Sequence, residues 1–160
     1  MEKIEAVVLA LQKYNDTSSI LHVYTREFGR MQYIVYGKKN LLFPLAWIEI
    51  ITQSKNSSSL PVIRSANLHY IPRKCFSQYH RQCIALFIAE ALYKTLKHPM
   101  QDVQVFEYIT DCVKELDLSD SVEHLPKEFL NRLSSLLGFG GEPIEGLEDM
   151  QSAFLISPIL

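Results

Sequence analysis

Over the first 75 residues, apolar positions recur at every second residue or fill short runs, and clusters of turn formers separate them. "IEAVVLALQKY" (4–14) is rich in β-branched and apolar residues and stops at "NDTSS". "ILHVYT" (20–25) alternates, with Leu21, Val23 and Thr25 facing one way and Ile20, His22 and Tyr24 the other. "RMQYIVYG" (30–37) follows Gly29, whose tolerance of positive φ suits a hairpin. "AWIEIIT" (46–52) and "LPVIRSANLHYI" (60–71) add two more strands around the polar loop "QSKNSSS", and Pro61 is tolerated because a first strand residue need not donate to the ladder. Five short strands predict a small barrel, since closure removes exposed edges. The OB-fold and SH3-like barrels share this strand count, and the pattern does not separate them.

Beyond residue 75 the period turns helical. In residues 77–99, Cys83, Leu86, Phe87, Glu90, Ala91 and Lys94 follow helical spacing, with a second stripe through Ile84, Ile88 and Leu92. Apolar residues almost all round predict a largely buried helix that stops at Pro99, with Lys94, Lys97 and His98 complementing the dipole of its last turn. A second helix is expected to open on Asp102 as N-cap and to bury Val105, Phe106, Ile109, Cys112, Val113 and Leu116. A third carries Pro126 in its first turn, one stripe of Phe129, Leu130, Leu133, Leu136 and Leu137, and Gly138 past its end. The expected organisation is α+β: an OB-fold-like barrel over 1–74, a helical domain over 75–143 covering one end of it, and a tail over 144–160. Phe154, Leu155 and Ile156 in that tail are apolar enough to dock back on the helices.

Charge changes this picture. The chain has a net charge of −2, which argues against a nucleic-acid binder, but the average hides a split. Residues 1–75 hold ten Lys and Arg against five acids, a net +5, and the remainder is −7. Such asymmetry is a mark of a polyanion-binding part joined to a part with another task. No apolar run reaches the length of a bilayer span, and "MEKIEAVVLALQKYND" breaks early with polar residues where a signal peptide would continue, so a cytoplasmic protein is expected.

Catalytic chemistry is not evident in the sequence. Cys75, Cys83 and Cys112 contain no Cys-x-x-Cys pair and are expected to be free thiols. His22, His69, His80, His98 and His124 are read as scattered, without an i, i+4 ligand pair with a carboxylate, and no phosphate loop or nucleophile elbow is present. Asp111 and Glu115 are read as a solvated helix face. No enzyme, no cofactor and no metal are expected.

The basic residues carry more information. If Met31, Tyr33 and Val35 face the barrel interior, Arg30, Gln32, Ile34 and Tyr36 share the outer face, Arg26 lies just before the turn, and Lys38 and Lys39 leave the strand end. Such a patch suits phosphate contacts, which carry affinity without sequence information and weaken as salt rises. Tyr24 and Tyr36 are candidates for base stacking.

Residues 4–40 resemble the N-terminal region of the RecO family of bacterial DNA repair mediators. The resemblance lies in Tyr14-Asn15-Asp16-Thr17-Ser18, Tyr24-Thr25-Arg26-Glu27-Phe28-Gly29 and Tyr36-Gly37-Lys38-Lys39. It continues through "LLFPLAWIEI", "IALFIAEALYKTL" and "FLNRLSSLLGFGGEP". It implies an N-terminal OB-fold that binds single- and double-stranded DNA, followed by a helical domain. It also implies a non-catalytic role in strand annealing and in loading RecA, with RecR and single-strand-binding protein as partners. The DNA-contact role passes to Arg26, Arg30, Lys38 and Lys39, and more weakly to Arg64, Arg73 and Lys74.

Three features depart from the family pattern. The four-cysteine zinc module is missing, the basic run after Lys39 is short, and Tyr36 stands where the family has a basic residue before the strand-end glycine. DNA binding weaker than that of a full-length relative is therefore expected. A diverged protein-interaction module is the alternative expectation.

Overall fold

The computed structural model describes residues 3–37, 40–53, 60–97 and 101–137. Five strands, β1 (Lys3–Lys13), β2 (Ser18–Thr25), β3 (Gly29–Tyr36), β4 (Trp47–Thr52) and β5 (Ile63–Leu68), form one antiparallel sheet in the order β3-β2-β1-β4-β5. The two edge strands meet through a single parallel bridge, Ile34 with Val62, supported by the Ile34 N–H donating to Pro61 O at 2.9 Å. The sheet thus curls into the five-stranded, partly open barrel of an OB-fold-like domain without a continuous closing ladder. The expected strand over 60–71 is shorter than its apolar run. Only Ile63–Leu68 pairs in register with β4; beyond it the His69 and Tyr70 N–H groups both donate to Trp47 O and their rings stack on the Trp47 indole.

Local chemistry explains the hairpin between β2 and β3. Thr25 pairs with Gly29 across a three-residue loop. The Thr25 hydroxyl donates to Gly29 O at 2.9 Å and accepts from the Phe28 N–H at 2.9 Å, and Gly29 takes φ 70°. The loop therefore satisfies its own polar groups and uses the one residue type that adopts left-handed backbone without a Cβ penalty.

The two-residue period of β1 lets consecutive residues serve two cores, and a bulge between Val8 and Ala10 shifts its register with β2. Ala6 and Val8 join Leu21, Val23, Tyr33, Val35, Ile48 and Ile50 inside the barrel. Val7 and Leu9, on the outer face, join Tyr24, Trp47 and the buried sides of the helices. The barrel and the helical layer thus share a continuous outer core.

Three helices follow, α1 (Tyr79–Thr95), α2 (Val103–Leu118) and α3 (Leu125–Leu136). Asp102 caps α2 as expected, its side chain accepting from the Gln104 and Val105 N–H groups. Pro126 occupies the first turn of α3.

The expectation for α1 needs two corrections. Its buried face is Arg81, Ala85, Ile88, Ala89, Ala91 and Leu92, whereas Cys83 and Leu86 are exposed, so the helix is buried on one side only. It also ends at Thr95, before Pro99: Leu96 leaves the helical conformation (φ −97°, ψ 66°), and Arg30 of β3 donates to the Tyr93 and Leu96 carbonyls there. Among the described residues, no helix is long and apolar enough to cross a membrane. The expected docking residues Phe154, Leu155 and Ile156, together with His98, lie outside the described residues.

Candidate nucleic-acid interface

The basic and aromatic residues singled out from the sequence divide into two groups. One group is drawn into the junction between barrel and helices. The Arg26 Nε donates to Glu5 Oε2 at 3.0 Å, its Nη1 lies 3.5 Å from Glu107 Oε1, and its guanidinium sits 4.7 Å from the centre of the Phe106 ring. Glu5 also accepts from the Trp47 indole N–H at 2.9 Å. Burial opposes ionisation of Glu5, but these donors outweigh it and hold its carboxyl below the usual range. Arg26, in the loop between β2 and β3, is therefore a tie to β1 and α2, committed to two acids before any ligand arrives.

Arg30 is corrected more strongly. It is only 9% exposed, and its Nη1 donates to Tyr93 O at 2.9 Å and to Leu96 O at 2.7 Å. Its Nη2 lies 3.2 Å from His22 Nδ1, and the guanidinium lies 4.6 Å from the centre of the Tyr93 ring. The strand period places Arg30 on the outer face as expected, but α1 covers that part of the face. Tyr24 is likewise a core residue, 1% exposed, stacked on Phe106 at 6.4 Å, with burial pushing its hydroxyl pKa up to about 12. Neither Arg30 nor Tyr24 is presented to a ligand in this structure.

The second group faces solvent. Tyr36, 58% exposed at the end of β3, and Arg64, exposed on β5, line one cleft of about 310 Å³ with Asn40, Leu41 and Ser65. This cleft lies along the seam where the barrel is only partly closed. Lys38 and Lys39 fall outside the described residues, and in sequence they join Gly37 to Asn40 at its rim. Gly37 takes φ 80°, and no described atom lies within 4 Å of where a Cβ would stand, so backbone conformation rather than space calls for glycine there.

Arg73 and Lys74 sit apart from this cleft. Their backbone N–H groups donate to the Asp117 carboxylate at 2.8–2.9 Å, and Lys74 Nζ lies 3.2 Å from Asp120. Asn40 lines both the Tyr36–Arg64 cleft and a neighbouring apolar cleft of about 270 Å³ bordered by Pro72 and Phe76, so the segment carrying Arg73 and Lys74 begins next door.

One exposed residue was not singled out as a site in the sequence. Tyr14, 63% exposed, donates its N–H to Ser18 O at 3.1 Å, and Ser18 pairs with Tyr36 in the sheet. Two exposed tyrosines thus stand on either side of the first residue of β2. The signal for Tyr14 was its place at a strand exit before turn formers, which reads as turn chemistry unless the partner strand is known.

An OB-fold-like barrel with an aromatic and basic cleft at its seam is an architecture on which oligonucleotides or oligosaccharides are bound. Residues 1–71 match the family described as "Recombination protein O N terminal". It is 33% identical over 147 residues to the DNA repair protein RecO of Phocaeicola vulgatus, an alignment covering 86% of this chain and 61% of that protein. It is also 33% identical over 156 residues to the DNA repair protein RecO of Porphyromonas gingivalis, covering 87% of this chain and 64% of that one. It is 28% identical over 145 residues to the DNA repair protein RecO of Chlorobium phaeobacteroides, covering 86% of this chain and 56% of that one. The chain spans about three-fifths of the length of the first two relatives.

Proposed function

We propose that this chain is a non-catalytic, DNA-binding recombination and repair mediator of RecO type. In this reading it holds single- and double-stranded DNA along the β3–β5 seam, assists annealing and RecA loading, and works in the cytoplasm with RecR and single-strand-binding protein. The observation that carries the reading is that exposed Tyr36 and Arg64 line one cleft, with Asn40, on an OB-fold-like barrel. Lys38, Lys39 and Arg64 would neutralise phosphates, Tyr36 and Tyr14 would supply ring faces for unstacked bases, and Arg73 and Lys74 would extend the track. Arg26, already paired to Glu5 and Glu107, would contribute a reduced share.

The test is retardation of a fluorescent oligothymidylate across a salt series. With about four cations engaged, log affinity should fall with log salt at a slope near −3. Lys38→Glu with Lys39→Glu is expected to abolish the shift at moderate salt. Tyr36→Ala should weaken it by about 1–3 kcal/mol. Absence of any retardation at low salt would sink the reading.

One observation favours a second reading, a protein-interaction module. Ile71, Phe76 and Tyr79 are exposed in succession along the segment leading into α1. Capture of RecR or single-strand-binding protein by a chain that fails to retard DNA would select it.

A further inference from the structure

The one convergent set of metal-ligating side chains among the described residues lies away from the barrel, where α2 meets α3. His124, at the N-terminal boundary of α3, places Nε2 at 3.5 Å from Glu115 Oε1 of α2 and at 3.6 Å from Glu128 Oε2 one turn along α3. The three ligand atoms all lie within 4.8 Å of one another. His124 and Glu128 are four residues apart, so the expectation that no histidine forms an i, i+4 pair with a carboxylate is corrected here.

His124 makes one long hydrogen bond, to Glu115 Oε1 at 3.5 Å, and the wide spacing of the three groups also leaves room for an ion between them. One imidazole N–H serves one acceptor well at about 2.9 Å, and 3.6 Å is outside hydrogen-bond range. A tetrahedral ion about 2.0–2.1 Å from each ligand instead imposes ligand–ligand edges of about 3.3–3.4 Å, close to both distances observed. The chemistry agrees. Neutral imidazole with two carboxylates is a donor set for Zn²⁺ and its first-row neighbours, whereas Mg²⁺ and Ca²⁺ prefer oxygen alone.

The charge around the set also suits a cation. Two of the three ligands are carboxylates, and Glu115, Asp111 and Glu128 all act electrostatically on the buried Cys112 of α2, so this side of the helix pair is negative. Arg132, packed 6.0 Å from the centre of the Tyr108 ring, offsets part of this charge, and the positive end of α3 offsets a little more. The ligand side chains are 39–60% exposed, which leaves an entry path and room for water to complete the coordination.

We propose that Glu115, His124 and Glu128 form a Zn²⁺ site that clamps α2 to α3. The ion would relieve repulsion between Glu115 and Glu128 and bind only the folded arrangement, which is a stabilising linkage. Its role is structural: the ion would bridge side chains of two helices.

The experiment is calorimetric titration of the full chain with ZnCl₂ at pH 7.5, with thermal melts in Zn²⁺ and in EDTA. One ion per chain is expected, with a melting temperature higher in Zn²⁺ than in EDTA. His124→Ala should weaken binding at least tenfold and remove the thermal difference. Cys83→Ser, which removes the exposed thiol on α1, should leave both unchanged. Co²⁺ supplies an independent readout, because oxygen and nitrogen ligands give visible d–d bands without thiolate charge transfer. No binding at millimolar Zn²⁺, equal binding by His124→Ala, or a thiolate band lost in Cys83→Ser would each overturn the proposal.

Discussion

Asp117→Ala is expected to lower the free energy of unfolding by about 3–5 kcal/mol, the largest effect among the substitutions named for this chain. Asp117 is fully buried near the end of α2 and accepts from the Arg73, Lys74 and Cys75 backbone N–H groups at 2.8–3.1 Å and from the Tyr70 hydroxyl at 2.9 Å. It is the clasp that holds the connection from β5 to α1 against α2. Removal leaves four donors without their acceptor. Each costs about 1–3 kcal/mol if it stays dry, and water reaching the cavity limits the total. For a chain of this size the melting temperature should fall by roughly 6–20 °C. A fall of only a degree or two would show that the clasp is dispensable.

The same carboxylate predicts acid sensitivity. Burial works against its ionisation, but the backbone donors of Arg73, Cys75 and Lys74, with the Tyr70 hydroxyl, outweigh burial and hold its pKa below the usual value. The folded state therefore binds this proton less readily than the unfolded chain. The stability it contributes is complete above the unfolded value of about 3.9 and is lost as pH falls through the lower folded value. The gap in melting temperature between wild type and Asp117→Ala should accordingly narrow below about pH 4.

Arg30→Met is expected to cost about 2–4 kcal/mol while sparing DNA binding in the folded protein. Methionine keeps the apolar stem over Tyr93 but cannot donate to Tyr93 O and Leu96 O, so the end of α1 loses its partner on β3. His22 should respond as well. Burial, and then the Arg30 charge, hold its imidazole pKa below the usual value, and its Nδ1 faces the Arg30 donor in the neutral form. A base depressed in the fold contributes stability that is complete above the unfolded value of about 6.5 and declines as pH falls toward the folded value. Without the Arg30 charge that decline between about pH 7 and 5 should be shallower. Thermal melts across this range test the first point and low-temperature DNA retardation the second. Full stability in Arg30→Met would refute the assignment of Arg30 as a helix anchor.

The strands and helices were largely legible because alternation and 3.6-residue spacing are local properties of the chain. Asp102 and Pro126 announced their helix starts for the same reason. The fates of Arg30, Tyr24 and Arg81 were not legible. Strand period placed Arg30 and Tyr24 on the outer face, but whether that face meets water or a helix depends on packing between segments some 65 to 80 residues apart. Arg81 and Asp117 look like surface charges in sequence, and burial is explained only by the backbone groups they meet from distant segments. At the candidate interface, Tyr36 was legible as a solvent-facing strand residue, whereas its meeting with Arg64 required the curl that brings β3 to β5.

The last carbonyls of a helix are ordinarily where it frays. Here Arg30 reaches from β3 to the end of α1, and Arg81 reaches from α1 to Leu116 O, near the end of α2, at 2.6 Å. Each guanidinium makes the closing turn of one helix depend on an element earlier in the chain. The consequence is cooperativity: amides at these helix ends should exchange with solvent through global opening, as slowly as those of the central strands, and neither helix should unfold ahead of the barrel.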